Sequence, residues 1–288
     1  MAEISSGTVV KLRKMSGQGM MDCKKALEEA NGDMDKAMEI LRKKGLATLA
    51  RRAERETSEG AVVSWQSEDG KEAALATLCC ETDFVAKSDD FVQLARDIRD
   101  YVGTAQGDQG AENVLQTIVA GRTFQEVLTE VVSKTGEKMQ VGDYMRFRLA
   151  GTGLIGTYVH FNDKVGSMVQ IDTSDAKVAQ APALQQAAAD IAMHITASKP
   201  LALDVASLDP QVVAREKEIY AAQVQNKPPQ VVERIVEGKL KKFYSDYCLL
   251  EQPFVKDDSK TVRQMLAEAA QQAGGQASVK RFVRFEVG

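Results

Sequence analysis

Apolar residues recur at helical spacing through the first 44 residues, and two turns cut the pattern into three segments, 6–15, 21–30 and 34–44. The separators, Ser16-Gly17-Gln18-Gly19 and Asn31-Gly32-Asp33, are both good turn chemistry. In the second segment Met20, Cys23, Ala26, Leu27 and Ala30 share a face; in the third Ala37, Ile40 and Leu41 do, with Asp33 placed to cap and Gly45 to terminate. The pattern predicts a three-helix bundle. About 45 residues is small for a core, so a ubiquitin-associated-like (UBA-like) bundle is expected over residues 1–55, held to the rest by the charge-dense tether Arg51 to Glu59.

The period then changes to two. Segments 61–65 and 73–78 flank a turn centred on Asp69-Gly70 and predict a β-hairpin. The second strand ends near Cys80-Glu81, leaving 82–87 as a strand-to-helix loop before a helix capped by Ser88, with Phe91, Leu94, Ile98 and Val102 down one face. After a polar loop at 103–111, helical spacing resumes at 114–118 and 124–132. Strands return at 144–149, where Met145, Phe147 and Leu149 alternate with Arg146 and Arg148, and again at 154–160 and 165–171. From Pro182 the pattern is helical over 183–196, 210–226 and 230–242, broken at Ser198-Lys199-Pro200 and Lys227-Pro228-Pro229. A helix at 262–273 and an alternating strand at 279–287 close the chain, the strand placed to return to the second sheet. The expected class is α+β with antiparallel sheets: one core subdomain over 56–140, a second over 141–182 and 230–288, and an inserted helical arm over 183–229.

Composition narrows the function classes. The chain has 288 residues, 44% of them hydrophobic, and 41 acids against 37 bases give a formal charge of −4, which advertises no nucleic-acid partner. No apolar run approaches the length needed to span a membrane. The N-terminus lacks the basic start and long apolar core of a secretory signal, so a cytoplasmic location is expected. Cys23, Cys79, Cys80 and Cys248 form no CxxC pair, and adjacent Cys79 and Cys80 in a strand face opposite ways, which does not suit a redox pair. The two histidines, His160 and His194, lie far apart, and no nucleophile elbow, HExxH or P-loop is present, giving little support for an enzyme. His194, on an apolar helix face, reads as structural.

Six segments carry a resemblance. Gly19-Met20-Met21-Asp22-Cys23-Lys24-Lys25-Ala26-Leu27 with Ala30-Asn31-Gly32-Asp33, then Glu81-Thr82-Asp83-Phe84-Val85-Ala86-Lys87, then Ile191-Ala192-Met193-His194-Ile195-Thr196-Ala197-Ser198-Lys199-Pro200, then Val236-Glu237-Gly238-Lys239-Leu240-Lys241-Lys242-Phe243, then Gln252-Pro253-Phe254-Val255 and Arg284-Phe285-Glu286-Val287, run in order from end to end. Together they resemble the elongation factor Ts family. That resemblance implies an N-terminal UBA-like bundle, two α+β core subdomains, an inserted coiled-coil dimerisation arm through which a homodimer could form, and nucleotide exchange on the GTPase elongation factor Tu. It implies no cofactor of the chain's own, since GDP, GTP and Mg²⁺ are bound by the partner. Longer family members continue into a C-terminal helix, so a chain ending at Gly288 is expected to lack that contact.

The resemblance also implies site residues. Thr82, Asp83, Phe84 and Val85 are expected to dislodge Mg²⁺ and release GDP on the partner, and Leu12, Met20, Met21 and the loops near His160 to bind it. Local pattern alone pulls the other way for two of these: Phe84 reads as a core residue and Asp83 as a cap for the following helix. For Met20 and Met21, one facing inward and one outward is expected.

Overall fold

The Asp69-Gly70 turn joins β1 (Glu59–Gln66) to β2 (Glu72–Cys80), in antiparallel register from Gln66↔Ala73 to Glu59↔Cys80. The computed structural model that carries this hairpin describes residues 4–224 and 228–288, so the expected helix end at Asn226 and the break at Lys227 lie outside the described residues. Before the hairpin come α1 (Ser6–Ser16), α2 (Met20–Glu29) and α3 (Met34–Arg51). The Ser5 hydroxyl caps α1 by accepting the Thr8 N–H at 3.1 Å, and Asp33 Oδ1 caps α3 by accepting from Asp35 and Lys36. Val9, Leu12, Cys23, Ala26, Leu27, Ala37 and Leu41 close the bundle core.

After β2 follow α4 (Asp83–Ala86), α5 (Asp89–Thr104), α6 (Ala111–Leu115), the two-residue strands β3 (Ile118–Val119) and β4 (Arg122–Thr123), α7 (Phe124–Thr135) and β5 (Met139–Arg148). β5 pairs with β2 from Glu72↔Arg148 to Cys80↔Met139, giving sheet order β1-β2-β5. The strand at 144–149, expected to open the second subdomain, therefore belongs to the first. β2 is buried on nearly every residue of both faces, and such a strand is stable only with a neighbour on each side. Helices α5 and α7 cover one face through Phe91, Leu94, Ile98, Phe124 and Leu128.

Gly45 does not end α3. The helix runs on to Arg51 because Gly45 is where α3 meets α7: a Cβ there would stand 2.6 Å from the Thr129 carbonyl oxygen. Gln18 Nε2 donates to the Glu130 carbonyl, the Ser133 hydroxyl donates to Gln18 Oε1 or the Leu41 carbonyl, and Arg42 pairs with Glu126. The bundle is thus docked on the core through α7 and is not joined by the tether alone.

The second subdomain is β6 (Gly153–Val159), β7 (Val165–Thr173), α8 (Ala176–Gln180), α9 (Pro182–Ser198), α10 (Pro210–Ala222), α11 (Pro229–Tyr247), β8 (Pro253–Phe254), β9 (Asp257–Thr261), α12 (Val262–Gln272) and β10 (Ala277–Glu286). Its sheet order is β10-β7-β6, so the last strand does return to it. The expected start of the arm at 183 is corrected: Leu184, Ala187, Ala188, Ile191, Ala192 and Ile195 of α9 are core residues packed with Val169, Ile171 and Leu266. A helix apolar on so much of its circumference is a buried one. What projects is the α10–α11 pair. α10 buries no residue fully, and its base is closed where Val213 and Tyr244 pack on Leu208 and Phe243.

The two sheets meet face to face through Val62, Ala73, Leu75 and Phe147 on one side and Ile155, Met168 and Val287 on the other. Gly166 permits the approach, since a Cβ there would lie 2.9 Å from Val62 Cγ1. No described helix is long and apolar enough to cross a membrane.

Candidate functional site

The segment expected as a loop after β2 is a capped helical turn, α4. Thr82 is extended (φ −128°, ψ 155°), and its hydroxyl accepts the Val85 N–H at 3.3 Å while donating to the Glu137 carboxylate, whose oxygens lie 3.1 and 3.0 Å away. The Cys80 thiol donates to the Thr82 carbonyl at 3.3 Å; burial, with the nearby Glu137 charge, pushes its pKa up to about 12, so it stays protonated and able to donate. Ser88 then restarts the helix, its hydroxyl donating to the Val85 carbonyl at 2.7 Å and accepting the Phe91 N–H.

This geometry divides the four expected site residues. Val85 and Ala86 turn inward onto the first core, and Thr82 is half-buried as the cap. Asp83 and Phe84 turn outward, and Phe84 is 83% exposed. The local reading of Phe84 as core is therefore overturned: a single turn has too little circumference to bury all its side chains, and Val85 occupies the inward position. Asp83 does not cap α5, a task Ser88 performs. It pairs with Lys87 at 2.8 Å, and that hydrogen bond holds its carboxyl below the usual carboxylate range.

Opposite the turn stands the tip of the β6–β7 hairpin. The His160 carbonyl accepts the Asp163 N–H at 2.8 Å, closing a tight turn that thrusts Phe161 out to 88% exposure. His160 is half-buried, with Nδ1 3.2 Å from the Tyr158 hydroxyl and its ring 4.3 Å from that of Phe161. The Asp163 carbonyl accepts the Val62 N–H at 2.6 Å and Lys164 pairs with Glu59, so the tip is fastened to β1. A groove of about 320 Å³ runs between Asp83, Lys87 and Val92 on one wall and Asn162, Asp163 and Lys164 on the other. The fold thus brings the Thr82–Val85 turn and the His160 hairpin to opposite rims of one groove. Sequence reading did not single out Phe161; its signal is an aromatic inside a hairpin turn, where no inward direction exists.

The bundle residues fare unevenly. Leu12, expected at the partner surface, has no exposed surface and sits in the bundle core, where only opening the bundle would free it. Met20 and Met21 are 40% and 62% exposed, so both face outward; they open α2, and the inward positions of that helix go to Cys23, Ala26 and Leu27. His194 is fully buried: Nε2 donates to Gln252 Oε1 at 2.9 Å and Nδ1 accepts the Val255 N–H at 3.1 Å. Among the described residues, no group of three or more His, Cys, Asp or Glu is placed to hold a metal ion.

An exposed ring and an ion-paired carboxylate thus stand on a capped turn beside two sheets packed face to face. The family model described as Elongation factor TS matches residues 81–288. Over 287 residues the chain is 40% identical to Elongation factor Ts of Nitratidesulfovibrio vulgaris (strain DP4), covering 99% of this chain and 96% of that relative. It is likewise 40% identical to Elongation factor Ts of Clostridium perfringens (strain SM101 / Type A) and 41% identical to that of a Nitratiruptor species, each covering 99% of this chain and 93% of the relative. The chain belongs to the elongation factor Ts family.

Proposed function

We propose that this chain accelerates GDP release from the GTPase elongation factor Tu, using Phe84 and Asp83 to disturb the partner's Mg²⁺ and phosphate site. The observation that carries the reading is the 83% exposure of Phe84 on a turn held by the Thr82 cap, the Ser88 hydroxyl and the inward packing of Val85. A large ring held in water by its own scaffold gains by entering a partner.

A GTPase holds GDP through backbone amides that cradle the phosphates and through an octahedral Mg²⁺ shell. An exchange factor has only to favour the state in which these are loosened. Asp83 suits that task because its present partner, Lys87, is exposed, and exposed ion pairs exchange their partners at little cost. Its carboxylate is free to enter the hydrogen-bond network around the ion's waters while Phe84 wedges between partner elements. Thr82 and Val85 hold the turn. No covalent chemistry and no cofactor of the chain's own is invoked.

The magnitudes set the division of labour. A thousandfold acceleration requires roughly 4 kcal/mol of preferential stabilisation of the departure transition state. Burying a phenylalanine side chain supplies about 1.5–3 kcal/mol. The remainder falls to Asp83 and to contacts elsewhere: Met20 and Met21, whose flexible thioethers adapt to a partner, and the His160–Phe161 hairpin tip. Linkage requires that GDP weaken this chain's grip on the partner to the extent that the chain weakens GDP.

The test is release of mant-GDP from elongation factor Tu. The chain is expected to accelerate release, and Phe84→Ala to cut the maximal rate by about tenfold or more while weakening partner binding much less. Absence of acceleration by the parent chain removes the reading, and unchanged kinetics in Phe84→Ala removes the role given to the ring.

A further inference from the structure

The support beneath α4 points to a residue that none of the assigned roles includes. Glu81 follows the last residue of β2, and its side chain is only 8% exposed, a costly place for a carboxylate unless it is fully paired. It is. Arg52 Nη1 donates to both oxygens, at 2.7 and 2.8 Å; Arg55 Nη1 reaches Oε2 at 3.3 Å; and the Lys138 backbone N–H donates to Oε1 at 2.6 Å. Burial pushes this carboxyl up, but the Arg52 hydrogen bond, the Lys138 amide and the two guanidinium charges outweigh it, and the group ends below its ordinary value. Lys138 completes the knot by donating from Nζ to the Ala53 and Arg55 carbonyls at 2.7 and 2.9 Å.

Three chain segments therefore meet at one carboxylate: the tether that leaves α3, the root of α4, and the start of β5. Glu137, the neighbour of Lys138, holds the Thr82 hydroxyl that caps α4. The turn needs this support, because a four-residue helix fixes many dihedrals for very few hydrogen bonds and has no stability of its own. On its other side the tether is anchored by the bundle, which is docked on α7 through Gly45 and Gln18.

We infer that Glu81 is a positioning residue for exchange: its buried carboxylate ties the tether of the N-terminal bundle to the root of α4, so that docking of the bundle sets where Phe84 and Asp83 stand. This rests on the reading that the turn loosens the partner's nucleotide, and it gives the bundle a second task besides affinity. Arg52 and Arg55 are partly exposed and lose little when the carboxylate loses its charge. The loss falls on the link between tether and turn.

The experiment measures mant-GDP release from elongation factor Tu with full-length Glu81→Gln, Arg52→Gln and Phe84→Ala, fitting maximal rate and half-saturating concentration separately. Glutamine keeps the shape of the side chain but sets an amide N–H against the Arg52 Nη1 donor. Glu81→Gln is expected to lower the maximal rate about tenfold with the half-saturating concentration within about twofold of the parent. Arg52→Gln, which reaches the same link from the tether and leaves β2 intact, should give the same split at smaller size because Arg55 remains. A residue that only stabilises the fold would lower the thermal midpoint and leave exchange by the folded protein unchanged, and that result overturns the inference. Slow release in Phe84→Ala beside normal release in both clamp variants overturns it alone; normal release in all three overturns the reading of the turn and this inference with it.

Discussion

Gly45 of α3 and Thr129 of α7 touch backbone to backbone: the space a methyl group would fill at Gly45 lies 2.6 Å from the Thr129 carbonyl oxygen and 3.0 Å from Ser133 Cβ. In an exposed helix interior, glycine to alanine stabilises by about 1 kcal/mol. Here the carbonyl cannot yield, because it is held within α7, and overpacking of this kind costs about 1–3 kcal/mol.

Gly45→Ala is therefore expected to leave the bundle helical while loosening it from α7. Hydrogen exchange should rise at the contact faces of α3 and α7, and the tether should become more sensitive to proteolysis, with little change in total helix content. A variant as protected as the parent would show that the two helices meet less tightly than described.

His194 makes stability depend on pH. Burial holds its pKa below the ordinary value of about 6.5, outweighing the Gln252 hydrogen bond, which pulls the other way; Nδ1 accepts from Val255, so a second ring proton would face the Val255 N–H. The groups that face it are polar and uncharged, with the Phe254 ring 6.0 Å away. Above the unfolded pKa both states are neutral and the contribution is complete; as pH falls through that value the unfolded chain takes up a proton that the folded chain refuses, and stability drops. The thermal midpoint should decline from pH 7.5 to pH 5.5, and His194→Gln should flatten that part of the profile at a lower overall midpoint. An equal slope in the variant assigns the decline to other groups.

The arm offers a contrast between two deletions. Excising 183–229 removes Leu184, Ile191 and Ile195, which are fully buried, and each such side chain contributes about 1.5–3 kcal/mol. That deletion should abolish cooperative folding. Replacing 214–239 by a short Gly-Ser linker removes the outer parts of α10 and α11 and spares Leu240 and Phe243 at the base. The second protein should unfold cooperatively near the parent midpoint in a calorimetric scan; loss of its transition would mean that the arm supports the core.

Much of the fold was legible because local chemistry and tertiary structure agree. The Asp69-Gly70 hairpin, the caps at Asp33 and Ser88 and the return of the last strand to the second sheet all follow from rules that act within a few residues. The misplacements come where a partner element decides. Alternation at 144–149 announces a strand but cannot say which sheet needs it, and that was settled by the unpaired edge β2 would otherwise leave. Gly45 has the chemistry of a helix end, yet it serves a contact with a helix 84 residues later. α9 did carry a warning in its Ala-rich run with Leu184, Ile191 and Ile195, too apolar for a projecting helix. The candidate site was legible chiefly through resemblance, which pointed to Phe84 against its local pattern and also carried Leu12 to a surface it does not reach. Glu81 stands out only in three dimensions, by the convergence of three segments, whereas Phe161 carried a local signal, an aromatic within a hairpin turn, whose weight shows only in its exposure.

The seam of Val62, Phe147, Ile155 and Met168 between the two sheets has a mechanical consequence. With the two rims of the groove rooted in sheets that this seam packs face to face, the distance between them is set by close packing and resists compression. The stiffness of such an anvil leaves the other body to bend when the two are pressed together, and under the proposed activity that compliant body is the one holding the nucleotide.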